Sequence, residues 1–200
     1  MFQPNWIILS WIIILFFIAT VAAIGSRYEF VFENDKVFDV CPDEENSNGV
    51  HDLFDISGVS FEFSEGSIHI SGDLTCVWEG VEPGDRIENR IELFKLVRSS
   101  WQPTPFSMST TNFCESFFSE KYLFYQVWSK YIVESDRQCI TTYKHVFHLL
   151  PYDIDTILDY PINMEGRHKV VVHFTAFDEN NQKRPNVGCF EIHGEFFRAK

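Results

Sequence analysis

Three sets of side chains in this sequence could do chemistry: the pair His145 and His148, the trio Asp153, Asp155 and Asp159, and five cysteines. A metal needs ligands converging on one point. His145 and His148 are three apart on a stretch that reads as a strand, where that spacing sends them to opposite faces. They read as ordinary surface or loop histidines. The aspartates match a calcium loop in composition only, because the glycine and the distal glutamate of that motif are missing, and a solvated acidic loop is the simpler reading. His51, His69, His168, His173 and His193 have no partner identifiable in the sequence. No Gly-x-Ser-x-Gly elbow, HExxH pair, phosphate-cradling glycine loop or dinucleotide fingerprint occurs. The expectation is a protein that is not an enzyme, with no catalytic residue, metal or cofactor.

The cysteines Cys41, Cys76, Cys114, Cys139 and Cys189 say more about compartment than about chemistry. No two lie close enough for the usual zinc spacings. An odd set in an exported chain gives two disulfides and one free thiol, and arithmetic leaves the pairing open. Export is suggested by Trp6–Ala23, an almost unbroken apolar run, followed by small residues up to Gly25 and Ser26 and then by Arg27. A signal peptide over 1–25 and a single secreted domain over 26–200 are expected; the alternative is an uncleaved anchor. Met1–Gly25 carries no charge, so the formal net charge of −13 belongs to the domain. That charge disfavours nucleic acid and anionic membrane surfaces as partners. There is no Asn-x-Ser/Thr sequon.

The elements that must position these residues read as strands. At the C-terminus, Phe190, Ile192 and Phe196 alternate with Glu191, His193 and Glu195, the pattern of one buried and one wet face. Gly194 falls on the apolar face and signals a bulge or a close approach. Arg167–Phe177 alternates likewise, and with the polar turn Asp178–Arg184 completes a hairpin. Tyr28–Phe32 reads as a first edge strand, and Lys36–Asn48 as an ordered loop. Asp55–Phe63 and Ser67–Leu74 read as a hairpin across Ser64-Glu65-Gly66. Ile87–Arg98 is a long strand apolar on both faces, hence covered twice or bulged. Trp101–Met108, with two prolines, reads as irregular. Aromatic residues at three-to-four spacing predict one helix over Asn112–Tyr131, with Asn112 and Glu115 as a capping pair. Thr141–Leu150 reads as a strand stopped by Pro151, and Tyr152–Gly166 as a loop.

These elements predict a mainly β protein, an antiparallel sandwich or partly open cup with one helix at about 112–131. Of 21 phenylalanines, three precede residue 26, so 18 remain in the domain beside Trp78, Trp101 and Trp128. Two accounts fit this excess: a heavily aromatic closed core, or two sheets held apart around an apolar cavity with aromatic loops at its mouth.

Val187-Gly-Cys-Phe-Glu-Ile-His-Gly-Glu-Phe, preceded by a strand and an Asn-Gln-Lys-Arg turn, resembles the end of the lysosomal ganglioside-activator protein. Phe113-Cys114-Glu115 and the 25-residue step to Cys139 match that protein's central cysteine pair. Ile91-x-Leu93 running through Val97 to Trp101 is similar in pattern. Size, leader, odd cysteine count and the Phe-Cys-x-x-Phe start resemble the insect chemosensory B (CheB) branch of that superfamily. The resemblance implies a β-cup around a hydrophobic cavity, with the helix at the rim. It implies bridges Cys41–Cys189 and Cys114–Cys139, and leaves Cys76 as the free thiol. Two further bridges of the activator have no cysteines here, so its glycolipid specificity is not carried over.

The function implied is a secreted carrier of a long-chain lipid, hydrocarbon or pheromone in chemosensory perception, placed in extracellular fluid such as sensillum lymph. Its partners would be that ligand and a sensory receptor or ion channel. Ten methylenes moved from water into a dry cavity would gain about 8 kcal/mol before ordering costs, which suffices for roughly micromolar binding. The expected wall is Phe61, Phe63, Ile68, Ile70, Leu93, Val172, Phe174, Phe190 and Ile192; the expected rim is Trp101, Phe106 and Trp128. The alternative is a secreted or tethered interaction protein with a filled core, accessory to a receptor or channel.

Overall fold

The computed structural model describes residues 25–34, 36–44 and 47–199. The leader expected over 1–25 therefore lies, up to residue 24, outside the described residues. Among those described, no helix is long and apolar enough to cross a membrane.

Ten strands follow in chain order: β1 (Ser26–Phe32), β2 (Asp39–Val40), β3 (Phe54–Ser64), β4 (Ser67–Cys76), β5 (Arg86–Val97), β6 (Ser100–Thr110), β7 (Val146–Asp155), β8 (Ile157–Tyr160), β9 (Gly166–Phe177) and β10 (Gly188–Arg198). All pair antiparallel, in a seven-stranded sheet ordered β6-β5-β9-β10-β1-β8, with β2 against β10, and a three-stranded sheet ordered β3-β4-β7. The protein is thus the mainly β cup that its alternation predicts. The large sheet curls until its two edge strands meet through side chains, Phe106 of β6 lying 5.3 Å from Tyr160 of β8 between ring centroids. One corner joins the sheets through Thr156: its N–H donates to Gly66 O, and its carbonyl accepts from Phe30 N, both at 2.9 Å.

Several expectations are corrected. β1 is an inner strand, between β10 and β8. Trp101–Met108 is regular structure: its prolines are tolerated because β6 is an edge strand, and the register shifts beside Pro103. There Thr104 Oγ1 donates to Leu93 O at 2.8 Å and supplies a bond the imino nitrogens cannot. Pro151 does not stop β7, which runs to Asp155; the proline sits in a bulge where Ile70 pairs with Tyr152 and Gly72 with Leu149. Gly72 holds φ at +107°, and a Cβ there would strike the Gly58 backbone. Gly194 marks a close approach, because a Cβ would enter the Phe30 ring.

The single helix over Asn112–Tyr131 is absent. Two short helices stand there, α1 (Phe113–Ser116) and α2 (Leu123–Val127), followed by a 3-10 turn over Ser129–Tyr131. Tyr122 is extended at φ −97°, ψ 143°, which breaks the run, and Asn112 makes no side-chain cap. The wet face expected for β10 is dry at Glu191, which is 3% exposed. Its carboxylate lies 2.6 Å from Lys169 Nζ and 2.7 Å from His193 Nε2. Trp101 covers this group, its ring 5.4 Å from Lys169 Nζ.

Cys41 is bonded to Cys189 and Cys114 to Cys139, while Cys76 is free and buried. Cys41–Cys189 spans 148 residues and Cys114–Cys139 spans 25. Loop-closure entropy scales the two at about 5 and 3.5 kcal/mol. Replacing Cys41 and Cys189 together by alanine is expected to lower the unfolding free energy by more than the same change at Cys114 and Cys139, as read from urea midpoints.

Candidate functional site

Between the sheets lies a cavity of about 600 Å³. Its floor is the concave face of the large sheet, where alternate residues of β5, β9, β10 and β1 point inward: Ile91 and Leu93, then Val170, Val172 and Phe174, then Phe190, Ile192 and Phe196, then Phe30 and Phe32. Its roof is the small sheet, and there the alternation changes phase. Phe54 and Ile56 line the cavity before the β3 irregularity at Gly58, and Val59 and Phe61 after it. Leu149 lines it before the bulge at Pro151, and Tyr152 and Ile154 after it. An extra residue re-aims the side chains beyond it, so both parities of these strands face inward.

What keeps the sheets apart is a row of aromatic rings from the segment around α1 and α2. Phe174 of the large sheet meets Phe113 at 5.0 Å, Phe113 meets Phe117 at 4.9 Å, and Phe117 meets Trp128 at 4.7 Å. Trp128 then touches the small sheet at Phe54, 5.4 Å away, and at Phe147, 6.1 Å away. Phe113, Phe117 and Phe147 are fully buried. Cys114–Cys139 pins the segment. At the other end Tyr28, Leu93, Met164 and Phe196 pack with Phe106 and Tyr160. The exposed lining residues Ser107, Met108, Leu123, Asp155 and Leu158 frame the mouth between β6, α2 and the β7–β8 corner.

Of the expected wall, Phe61, Ile68, Ile70, Leu93, Val172, Phe174, Phe190 and Ile192 line this cavity. Phe63 does not. It is 43% exposed and packs on Phe32 at 5.5 Å, beside a separate pocket of about 270 Å³. Of the expected rim, Phe106 lines the mouth side, and Trp128 also lines the cavity, from within the aromatic row. Trp101 lies on the opposite face of the sheet, over Lys169 and 5.7 Å from the His193 ring. Its strand alternates, and Trp101 lies five residues from Phe106, an odd step that puts the two rings on opposite faces; the irregularity between Ser107 and Pro103 sets four steps on β6 against two on β5 and leaves that parity unchanged. Sequence reasoning passed over the contributions of β1, β7 and β8. Phe30 and Phe32 were legible from their alternation in Tyr28–Phe32; Tyr152 and Ile154 were hidden by the bulge.

Among the described residues the lining is almost devoid of charge: Asp155 is its one ionisable acid or base apart from the phenols of Tyr152 and Tyr160. Burial pushes both phenols above their ordinary value, so they stay neutral. His145 and His148 do converge, but on Asp136 rather than on an ion. His145 Nε2 lies 2.8 Å from the Asp136 carbonyl, and His148 Nδ1 lies 2.7 Å from its carboxylate. That hydrogen bond raises the His148 pKa and lowers that of Asp136. Asp153 contacts His69 at 3.0 Å. Among the described residues no cluster of three or more His, Cys, Asp or Glu could hold a metal.

No protein-family model matches this chain, and no curated protein sequence matches it.

The row of rings carries two expectations. Phe117 touches neither the mouth nor the floor, so Phe117→Ala tests the spacing directly. It should cost about 3–5 kcal/mol in urea unfolding, as deletion of a buried ring does, and it should lower uptake of a fluorescent apolar probe. The floor's far end carries a pH dependence. His168 is 1% exposed, and burial pushes its imidazole below the ordinary value, with Lys95 adding to the shift. The folded state holds it neutral, so its contribution is present above about pH 6.5 and is lost as the unfolded chain takes up the proton below that value. Melting temperature should fall between pH 7 and pH 5, and His168→Leu should flatten the fall.

Proposed function

We propose that this protein is a carrier that encloses the apolar chain of a lipid, hydrocarbon or pheromone. The observation that carries this reading is the cavity of about 600 Å³, lined by aliphatic and aromatic side chains and opening between exposed Met108, Leu123 and Leu158. The volume falls in the range of small-molecule sites. A filled-core interaction protein gives no reason for such a space, since packed sheets normally interdigitate without voids larger than water.

The expectation that the protein works outside the cell is supported by its two disulfides, which persist in oxidising compartments. Its chemosensory setting is supported by the resemblance of the cysteine skeleton and C-terminal hairpin to the chemosensory B branch. A receptor or ion channel that accepts the loaded carrier follows from that setting. A wall of this kind gains energy per methylene and discriminates poorly between chains of similar length.

Native mass spectrometry of the oxidised protein, with organic extraction of whatever copurifies, tests the reading. A bound long-chain molecule, released by solvent, is the expected result. A bare mass together with failure to take up a neutral fluorescent probe would leave the filled-core reading in its place. Ile192→Trp, on the floor opposite Val170, should lower probe affinity at least about tenfold without lowering the melting temperature.

A further inference from the structure

The carrier reading leaves the ligand's head group open, and the rim speaks to it. The chain needs about 600 Å³, and at roughly 30 Å³ per water-sized group that volume holds on the order of twenty heavy atoms. Such a ligand is one long chain with a small head. Among the described residues no Lys, Arg or His lines the cavity, and its polar groups are Ser107, Tyr152, Asp155, Thr156 and Tyr160. All five belong to β6, β7, β8 or the corner between them; Ser107 and Asp155 are the exposed ones, at the mouth, while Tyr152 and Thr156 are buried deeper. Phe106, next to Ser107, touches Tyr160, so β6 meets β8 on the side where Asp155 precedes β8. The floor, in contrast, offers a head group nothing to bond.

We infer that the cavity selects neutral long-chain molecules whose head donates a hydrogen bond, a primary alcohol above all, and discriminates against fatty-acid anions of the same length. This rests on the carrier reading. The alcohol's O–H finds the Asp155 carboxylate as acceptor, and the neighbouring hydroxyls accept or donate as needed. A carboxylate head arriving at the same rim meets Asp155 as a like charge, with no cation in the lining to offset it, on a domain of net charge −13. At the exposed rim, a like charge about 4 Å away lowers affinity about fivefold in water, and more where water is excluded.

The experiment uses the full oxidised domain and displacement of N-phenyl-1-naphthylamine, a neutral fluorescent probe, by 1-hexadecanol or by palmitate at pH 7.4. Hexadecanol is expected to displace the probe at a concentration at least about fivefold lower than palmitate. Asp155→Asn should narrow that gap, and Asp155→Lys should reverse it; Asp155 is exposed, so both variants are expected to fold. Equal displacement by alcohol and acid, or a gap that Asp155→Lys leaves unchanged, overturns the head-group selection and leaves the carrier standing. A probe that never binds overturns both.

Discussion

Two sheets with apolar inner faces should close onto each other until their side chains interdigitate, about 10 Å apart. In this protein a row of aromatic rings prevents that. Phe113, Phe117 and Trp128 bridge from Phe174 on one sheet to Phe54 and Phe147 on the other. Rings are suited to the task because they are large, have few rotatable bonds and attract one another edge to face. The segment that carries them is not a continuous helix, and need not be. Its geometry is fixed by what it wedges between, by the Cys114–Cys139 bridge, and by buried Ser129, whose hydroxyl donates to the Phe117 carbonyl. The cavity is the space this strut leaves beside it.

The same constraint explains why the roof is irregular and the floor is not. The floor strands β5, β9 and β10 run side by side without a break in register between β9 and its two neighbours. The roof has to arch away from them, and it does so through two register shifts, one at Gly58 between β3 and β4 and one between β4 and β7 where Gly72 faces the bulge at Pro151. Each shift increases the local twist and turns the following residues inward. Gly72 is needed there because the β3 backbone passes where a Cβ would stand.

Those shifts also mark the limit of what the sequence discloses. The C-terminal hairpin is legible because its alternation runs unbroken, and the β3–β4 hairpin because alternation holds on both sides of its turn as far as the shifts at Gly58 and Gly72. β6 and β7 are obscured by Pro103, Pro105 and Pro151, whose tolerance depends on edge and bulge positions that only the assembled sheet defines. The aromatic spacing of Phe113, Phe117 and Phe124 imitates a helical face. In the fold it arises because all three rings belong to one cluster around the strut, reached partly by extended backbone at Tyr122. Phe63 stands on a strand that is read well enough, yet its depth depends on where the hairpin ends; Trp101 stands on a strand that its prolines disguise, so its face could not be assigned. Leu93, Val172, Phe174, Phe190 and Ile192 are legible because a floor strand's inward parity needs no knowledge of its neighbours, and Phe61, Ile68 and Ile70 because they lie on stretches of β3 and β4 next to the turn, clear of the register shifts.

The two faces of the large sheet divide labour in a way that bears on recognition. On β9, Val170, Val172 and Phe174 face the cavity, while Lys169, Val171 and His173 face outward. There Lys169 meets Glu191 and His193 under Trp101. Burying that ion pair is costly unless each partner is hydrogen-bonded, and the indole's shielding makes its geometry exacting. It therefore fixes the register of β9 against β10, since a one-residue slip would carry Lys169 into the cavity and Val170 out of it. A charged group kept strictly on the outer face is what allows the inner face to be free of charge. On the carrier reading proposed above, with the floor free of charge, any finer choice among ligands would fall to the few polar atoms at the mouth. Those atoms stand on β6, β7 and β8, the strands whose edges and bulges the curl of the sheets brings together.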